Sequence, residues 1–169
     1  MRLKGGTRRL LLVAHVMVSV GWLGAVAAFL VLAVVGLASG DPQTVRGTYL
    51  VMEPTAWFVL VPLALASLVT GIVQSLGTRW GLLRHYWVVF KLVINLLSTV
   101  FLLLYMRTFD DLADAAADPR TNLDAVRSAS PLLHAVAALL LLVTATALAV
   151  YKPRGLTPYG RRRLARSLS

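Results

Sequence analysis

Residues 80–106 read WGLLRHYWVVFKLVINLLSTVFLLLYM. The segment opens with an arginine, a histidine and several aromatic rings. It then runs to Arg107 with Lys91 as its one charge after Arg84. Basic and aromatic side chains settle at a membrane–water boundary, and about 20 apolar residues span the hydrocarbon as a helix. A membrane span is therefore expected over about 85–106. Lys91 and Asn95 lie one turn apart inside it. Such groups are costly in hydrocarbon, so they face a protein interior and mark function.

Working outward, no charge lies between Arg9 and Asp41, between Glu53 and Arg79, or between Arg127 and Lys152. These runs predict three more spans, over about 10–38, 56–74 and 131–151. The 169-residue chain is 58% hydrophobic and 14% charged, whereas a soluble domain carries about 25% charged residues. The expected fold is all-α, a polytopic membrane four-helix bundle forming a single domain over residues 1–169. The basic start and Ala25-Val26-Ala27 have the pattern of a cleaved signal. The apolar run, however, continues to Leu37, past the 7–15 residues or so of a signal core. The first span is expected to be retained.

A net charge of +10 raises nucleic acid as a partner, but the cations sit in tails and short loops beside the spans. That pattern sets topology and attracts anionic lipid headgroups instead. Arg2, Lys4, Arg8 and Arg9 precede span 1. Arg79 and Arg84 lie in the 75–84 loop, and Lys152, Arg154, Arg161, Arg162, Arg163 and Arg166 lie in the 152–169 tail. With four spans these share one side, so both termini are expected to be cytoplasmic. Arginine outnumbers lysine, and Ala, Leu and Val dominate, which points to a GC-rich bacterial genome and a bacterial plasma membrane. The chain has no cysteine, which excludes disulfides and thiolate metal sites.

Residues 39–55 and 107–130 are expected as loops, the Ala-rich start of the second having the composition of a short surface helix. Its carboxylates show no calcium-loop spacing and suit a solvated face better than an ion site. Pro62 is expected to kink span 2.

The polar residues inside the spans fall on helical faces. His15, Ser19 and Trp22 recur at i, i+4, i+7. Ser67, Thr70, Gly71 and Gln74 form a small polar stripe, read either as helix contact or as cavity lining. Trp87, Lys91, Asn95 and Ser98 share a narrow arc. At 1.5 Å per residue, His15 lies about 7–8 Å inside the cytoplasmic boundary. His85 sits at that boundary and His134 near the opposite one. His15 and His85 can therefore share an iron, and His134 is expected to be packing. Two histidines on different helices suit haem b, whereas zinc wants three or four protein ligands. Lys91 suits a haem propionate, a proton relay or simple snorkelling.

The stretches His15 to Gly24, Trp80 to Asn95 and Tyr151 to Gly160 together resemble uncharacterised four-helix membrane proteins common in actinobacteria. More remotely, His15 to Gly24 resembles the first helix of HemJ-type protoporphyrinogen oxidases and of CopD copper-resistance domains. Gly81, Lys91 and Asn95 are similar to a later CopD helix. These resemblances imply haem-dependent oxidation or copper handling. Val89 stands where HemJ-like helices carry a histidine close before the lysine, and no Met-rich or His-rich copper site is present. The expected function is thus haem b binding near the cytoplasmic face for electron transfer or a redox step. The cofactor-binding residues would be His15, His85, Ser19, Trp22, Lys91 and Asn95, with His15 and His85 on the iron. Two alternatives stand beside it. One is a non-enzymatic accessory or assembly protein working with a membrane partner or a second copy. The other is a small proton- or cation-coupled transporter.

Overall fold

The computed structural model describes residues 5–78 and 80–165. Helix α1 runs Gly5–Ala38 and α2 runs Pro42–Thr55. A π-helical turn, Ala56–Leu60, continues directly into α3, Val61–Gly77. Then follow α4 (Tyr86–Ala117), α5 (Leu123–Val126), α6 (Ser130–Tyr151) and α7 (Pro158–Ala165). Four stretches are long and apolar enough to cross a membrane: Gly5–Ala38, Pro42–Gly77, Tyr86–Ala117 and Leu123–Tyr151. Phe58, Leu104, Leu133 and Leu140 point outward and are largely exposed. Helices apolar on all sides suit hydrocarbon, where outward side chains need no burial.

The four long helices form an open square. Helix α1 packs on α3 and α6, and α4 packs on the same two. The α1–α4 diagonal is filled by side chains, Phe29 meeting Phe109 edge-to-face with ring centroids 5.0 Å apart. The square has two unlike ends. One, the basic end, carries the start of α1, the 78–85 connection and the chain after Tyr151. All seven carboxylates of the chain lie at the other, the acidic end.

The acidic end extends further than the sequence suggests. Residues 39–55, expected as a loop, are mostly helix, because Val45, Thr48, Tyr49 and Met52 recur at i, i+3, i+4, i+7 and are all buried. Residues 107–117, also expected as loop, continue α4, with Phe109, Ala113 and Ala116 buried against α2. At 1.5 Å per residue, α4's 32 residues reach about 48 Å, well beyond a hydrocarbon core of about 30 Å. Helices α2 and α5 and the last turns of α4 thus make a small head beyond the membrane. Tyr49 anchors it, donating its hydroxyl to the Ser128 carbonyl (3.2 Å) and accepting from the Ser128 N–H (2.9 Å). Its ring lies so close to Gly36 that a Cβ there would stand 3.2 Å from it.

Two arginines close the head. The Arg46 guanidinium donates to the carbonyls of Ala116 (3.0 Å), Asp118 (2.8 Å) and Thr121 (2.6 Å). Arg127 donates to those of Leu37 (3.0 Å) and Ser39 (2.6 Å). The final carbonyls of a helix lack intrahelical donors and carry partial negative charge, so each arginine caps one helix, α4 and α1 respectively. Pro62 has no N–H to offer the Phe58 carbonyl. The chain answers with the π turn before it, in which Val61 N–H bonds Ala56 O.

Asp41 caps α2, accepting from the Thr44 hydroxyl (2.6 Å) and the Thr44 N–H (2.9 Å). These bonds, the hydroxyl's first, hold its pKa below the ordinary carboxylate value. The cap is therefore complete above the ordinary value, about 4. It is lost as pH falls through the depressed folded value. Hydrogen exchange should show the Thr44 amide equally protected from neutral pH down to about 4, then progressively less so. In Asp41→Ala the protection should be low throughout. A wild-type amide indifferent to acid would refute the cap.

Candidate functional site

Between α1, α3 and α4 at the basic end lies a cleft of about 900 Å³. Its walls include Arg8, Arg9, His15, Lys91, Asn95 and Lys152. No carboxylate is among its lining residues. Its cations come from three places. The first turns of α1 bring Arg8 and Arg9, and α4 brings Lys91 and Asn95 one turn apart. Lys152, just past α6, has a left-handed backbone (φ 45°) that ends the helix and turns the chain back. Trp80 and Trp87 add aromatic wall, their rings meeting edge-to-face at 74° with centroids 5.5 Å apart.

His15 is held in one orientation. Its Nδ1 lies 3.0 Å from the Thr70 hydroxyl oxygen, and that hydroxyl donates to the Ala66 carbonyl at 2.6 Å. With the hydroxyl proton spent, Nδ1–H must donate to it, which leaves a lone pair on Nε2. This tautomer is the one a metal-ligating histidine takes when its other nitrogen is fixed by a neighbour. Gly71 makes room for the ring, since a Cβ there would stand 3.1 Å from His15 Cε1.

Deeper, Asn95 Nδ2 donates to Ser67 Oγ (3.1 Å), and Ser67 Oγ pairs with Ser19 Oγ (3.0 Å). This node ties α4, α3 and α1 together, each bond contributing about 0.6 kcal/mol on average in a membrane. Asn95 Oδ1 and Gln74 Oε1 are buried without a hydrogen-bond partner, and both residues line the cleft.

Of the six expected cofactor-binding residues, His15, Lys91 and Asn95 line this cleft. Ser19 supports it through the node. Trp22 lines a second cavity instead. His85 lines neither. As the residue before α4, it donates Nδ1–H to the Trp80 carbonyl (2.8 Å), and its ring packs edge-on against Trp80 at 5.1 Å. The cleft thus presents one histidine where two were expected. The polar stripe on span 2 does line it or brace it, through Ser67, Thr70, Gly71 and Gln74. Arg8, Arg9 and Lys152 are additional: tail cations reach the cleft because α1 begins before the apolar run and α6 turns sharply after it.

His134 stands at the acidic end, Nδ1–H donating to the Ser130 carbonyl (2.8 Å), its ring stacked on Tyr105 at 4.0 Å. Among the described residues, no three His, Cys, Asp or Glu side chains converge to hold a metal ion. The acidic segment 107–130 therefore forms no such site among them.

The C-terminal segment braces the cleft from below. Thr157 N–H donates to Arg84 O (3.0 Å), its hydroxyl to Leu83 O (2.6 Å), and Tyr86 N–H to Gly155 O (3.3 Å). The Thr157 hydroxyl oxygen also accepts from Gly160 N–H (3.1 Å), capping α7. No family model, curated protein or solved structure matches the chain.

Proposed function

We propose that this protein is an integral membrane protein whose basic-end cleft, facing the cytoplasm, binds an anionic amphiphile. One observation carries this: Arg8, Arg9, Lys91 and Lys152 line a cleft without a carboxylate, in a chain whose acids all lie at the other end. Like charges gathered around one cleft, with Lys91 partly buried among them, repel one another, and an anion relieves that repulsion. Haem b is the ligand we put forward. It is flat and apolar and carries two propionates. A tryptophan ring of the wall suits its apolar body, the cations suit the propionates, and His15 Nε2 carries the free lone pair an iron takes. Bound haem would supply one-electron chemistry. The chain itself fixes the His15 tautomer through Thr70 and holds Lys91 within the apolar wall.

A reduced-minus-oxidised absorption spectrum of detergent-purified protein, expressed with ample haem, tests this. A Soret band near one haem per chain is expected. His15→Ala should abolish it, His85→Ala and His134→Ala should leave it, and Lys91→Met should weaken haem retention by about tenfold, the loss of one charge-assisted contact. A flat spectrum would refute haem and favour a non-enzymatic membrane subunit whose cations hold an anionic lipid.

A further inference from the structure

The second cavity, about 300 Å³, opens between α1, α4 and α6 toward the acidic end. Its wall is a run of touching rings. Phe29 meets Phe109 at 5.0 Å, Phe109 meets Tyr105 at 4.8 Å, and Tyr105 stacks on His134 at 4.0 Å. Trp22, buried to 2% exposure, closes one side. No Asp, Glu, Lys or Arg side chain is among its lining residues. It lies within the spanning part of the bundle, so whatever occupies it enters from the bilayer, and a neutral molecule meets no opposing charge there.

One polar group marks the inner end of this apolar space. Ser98 is 7% exposed, lines the cavity, and its Oγ has no hydrogen-bond partner. That is unusual within this molecule. Thr48, Thr55, Thr70, Thr99, Thr144 and Thr146 all donate to the carbonyl four residues earlier. Ser98 has the same option on α4 and does not take it. A buried hydroxyl left unpaired costs about 1–3 kcal/mol, and an acceptor on an occupant recovers it. Ser98 and Tyr105 are seven residues apart, about 10 Å along the helix, which is the length of one ring and the start of a tail.

We propose that this cavity is a binding site for a membrane quinone, its ring among the aromatic side chains and one carbonyl accepting from the Ser98 hydroxyl. A plain acyl chain also enters from the bilayer, but it has no acceptor for Ser98 and no ring to stack. Only binding is proposed. The site is separate from the basic cleft and does not depend on haem.

The test is a binding isotherm in phosphatidylcholine nanodiscs, read by tryptophan fluorescence quenching, with a benzoquinone carrying a ten-carbon tail. Saturable binding is expected. Ser98→Ala should weaken it about 3- to 10-fold, the loss of one hydrogen bond. Ala138→Phe, which fills the cavity from α6, should abolish the saturable phase, with helicity and melting checked against wild type. His15→Ala should bind the quinone as wild type does, so failure of the haem proposal and failure of this one are read separately. A ten-carbon alcohol without the ring should compete poorly. Binding indifferent to both substitutions would overturn the proposal. So would equal competition by the ringless alcohol, since the cavity would then be a seat for lipid chains.

Discussion

Arg46→Ala should destabilise the folded protein by about 2–4 kcal/mol, as the loss of several charge-assisted hydrogen bonds implies. The side chain is partly buried, and one guanidinium serves three carbonyls within 3.0 Å and a fourth, that of Ala115, at 3.4 Å. The figure is less than the sum of separate bonds because bonds to one group are not additive and water rehydrates some carbonyls. Arg46→Lys keeps the charge at the helix end but has a single nitrogen to share. It should lose roughly half as much, mainly by forfeiting the fork that spans the turn after α4. Denaturation in detergent followed by circular dichroism gives the comparison. An Arg46→Ala protein within about 0.5 kcal/mol of wild type, the scatter of ordinary surface changes, would show that the head is held by packing alone.

Gly160→Ala should free the C-terminal segment. A Cβ at Gly160 would overlap the backbone carbonyl oxygen of Arg84. Backbone cannot swing aside as a side chain does, so α7 must lift. Lifting breaks the bonds from Thr157 to Leu83 and Arg84 and from Tyr86 to Gly155. The consequence is local, because α7 packs on the loop before α4 and not within the square. Trypsin cleavage at Arg161–Arg163 should accelerate by on the order of tenfold or more, as local opening loses about 1.4 kcal/mol or more of protection. The melting of the four long helices should stay near wild type. Unchanged cleavage would mean that the loop moves with the tail and the clasp survives.

The spans were legible because hydrocarbon imposes a coarse rule on sequence: about 20 residues without charge. The head was less so. Residues 39–55 carry Asp41, Arg46, Glu53 and two prolines, and read as loop by composition. Their helix shows only in the burial period of Val45, Thr48, Tyr49 and Met52, and in Pro42 just after the Asp41 cap. The continuation of α4 past Arg107 is similarly masked by carboxylates on its solvated face. In the site, periodicity put Lys91 and Asn95 on one face and exposed the stripe from Ser67 to Gln74. Depth along the membrane normal placed His15 and His85 at compatible levels. It said nothing of where the helix begins: His85 is the residue before α4, with extended backbone (φ −126°, ψ 135°), and its ring turns to the Trp80 carbonyl and away from the cleft. Trp22 shares His15's face on paper. Seven residues at 100° each return it to within about 20° of that face, so the rise of about 10 Å is what carries it into the other cavity.

At the boundary near the head, Trp57 on the π turn donates its indole N–H to Asp110 on α4 at 3.1 Å. From Trp57 to Gly77 at the end of α3 is 20 residues, about 30 Å of rise. From Tyr86 to Arg107 on α4 is 21 residues, about 31 Å. Two neighbouring antiparallel helices therefore carry rulers of matching length, pinned to each other at the Trp57–Asp110 contact. A lone helix meets a bilayer of the wrong thickness by tilting. Here tilt of one ruler drags the other's polar marks into hydrocarbon. In a thinner or thicker bilayer it is the lipid that must stretch or compress around this protein, which gives the chain a preferred membrane thickness built into its sequence.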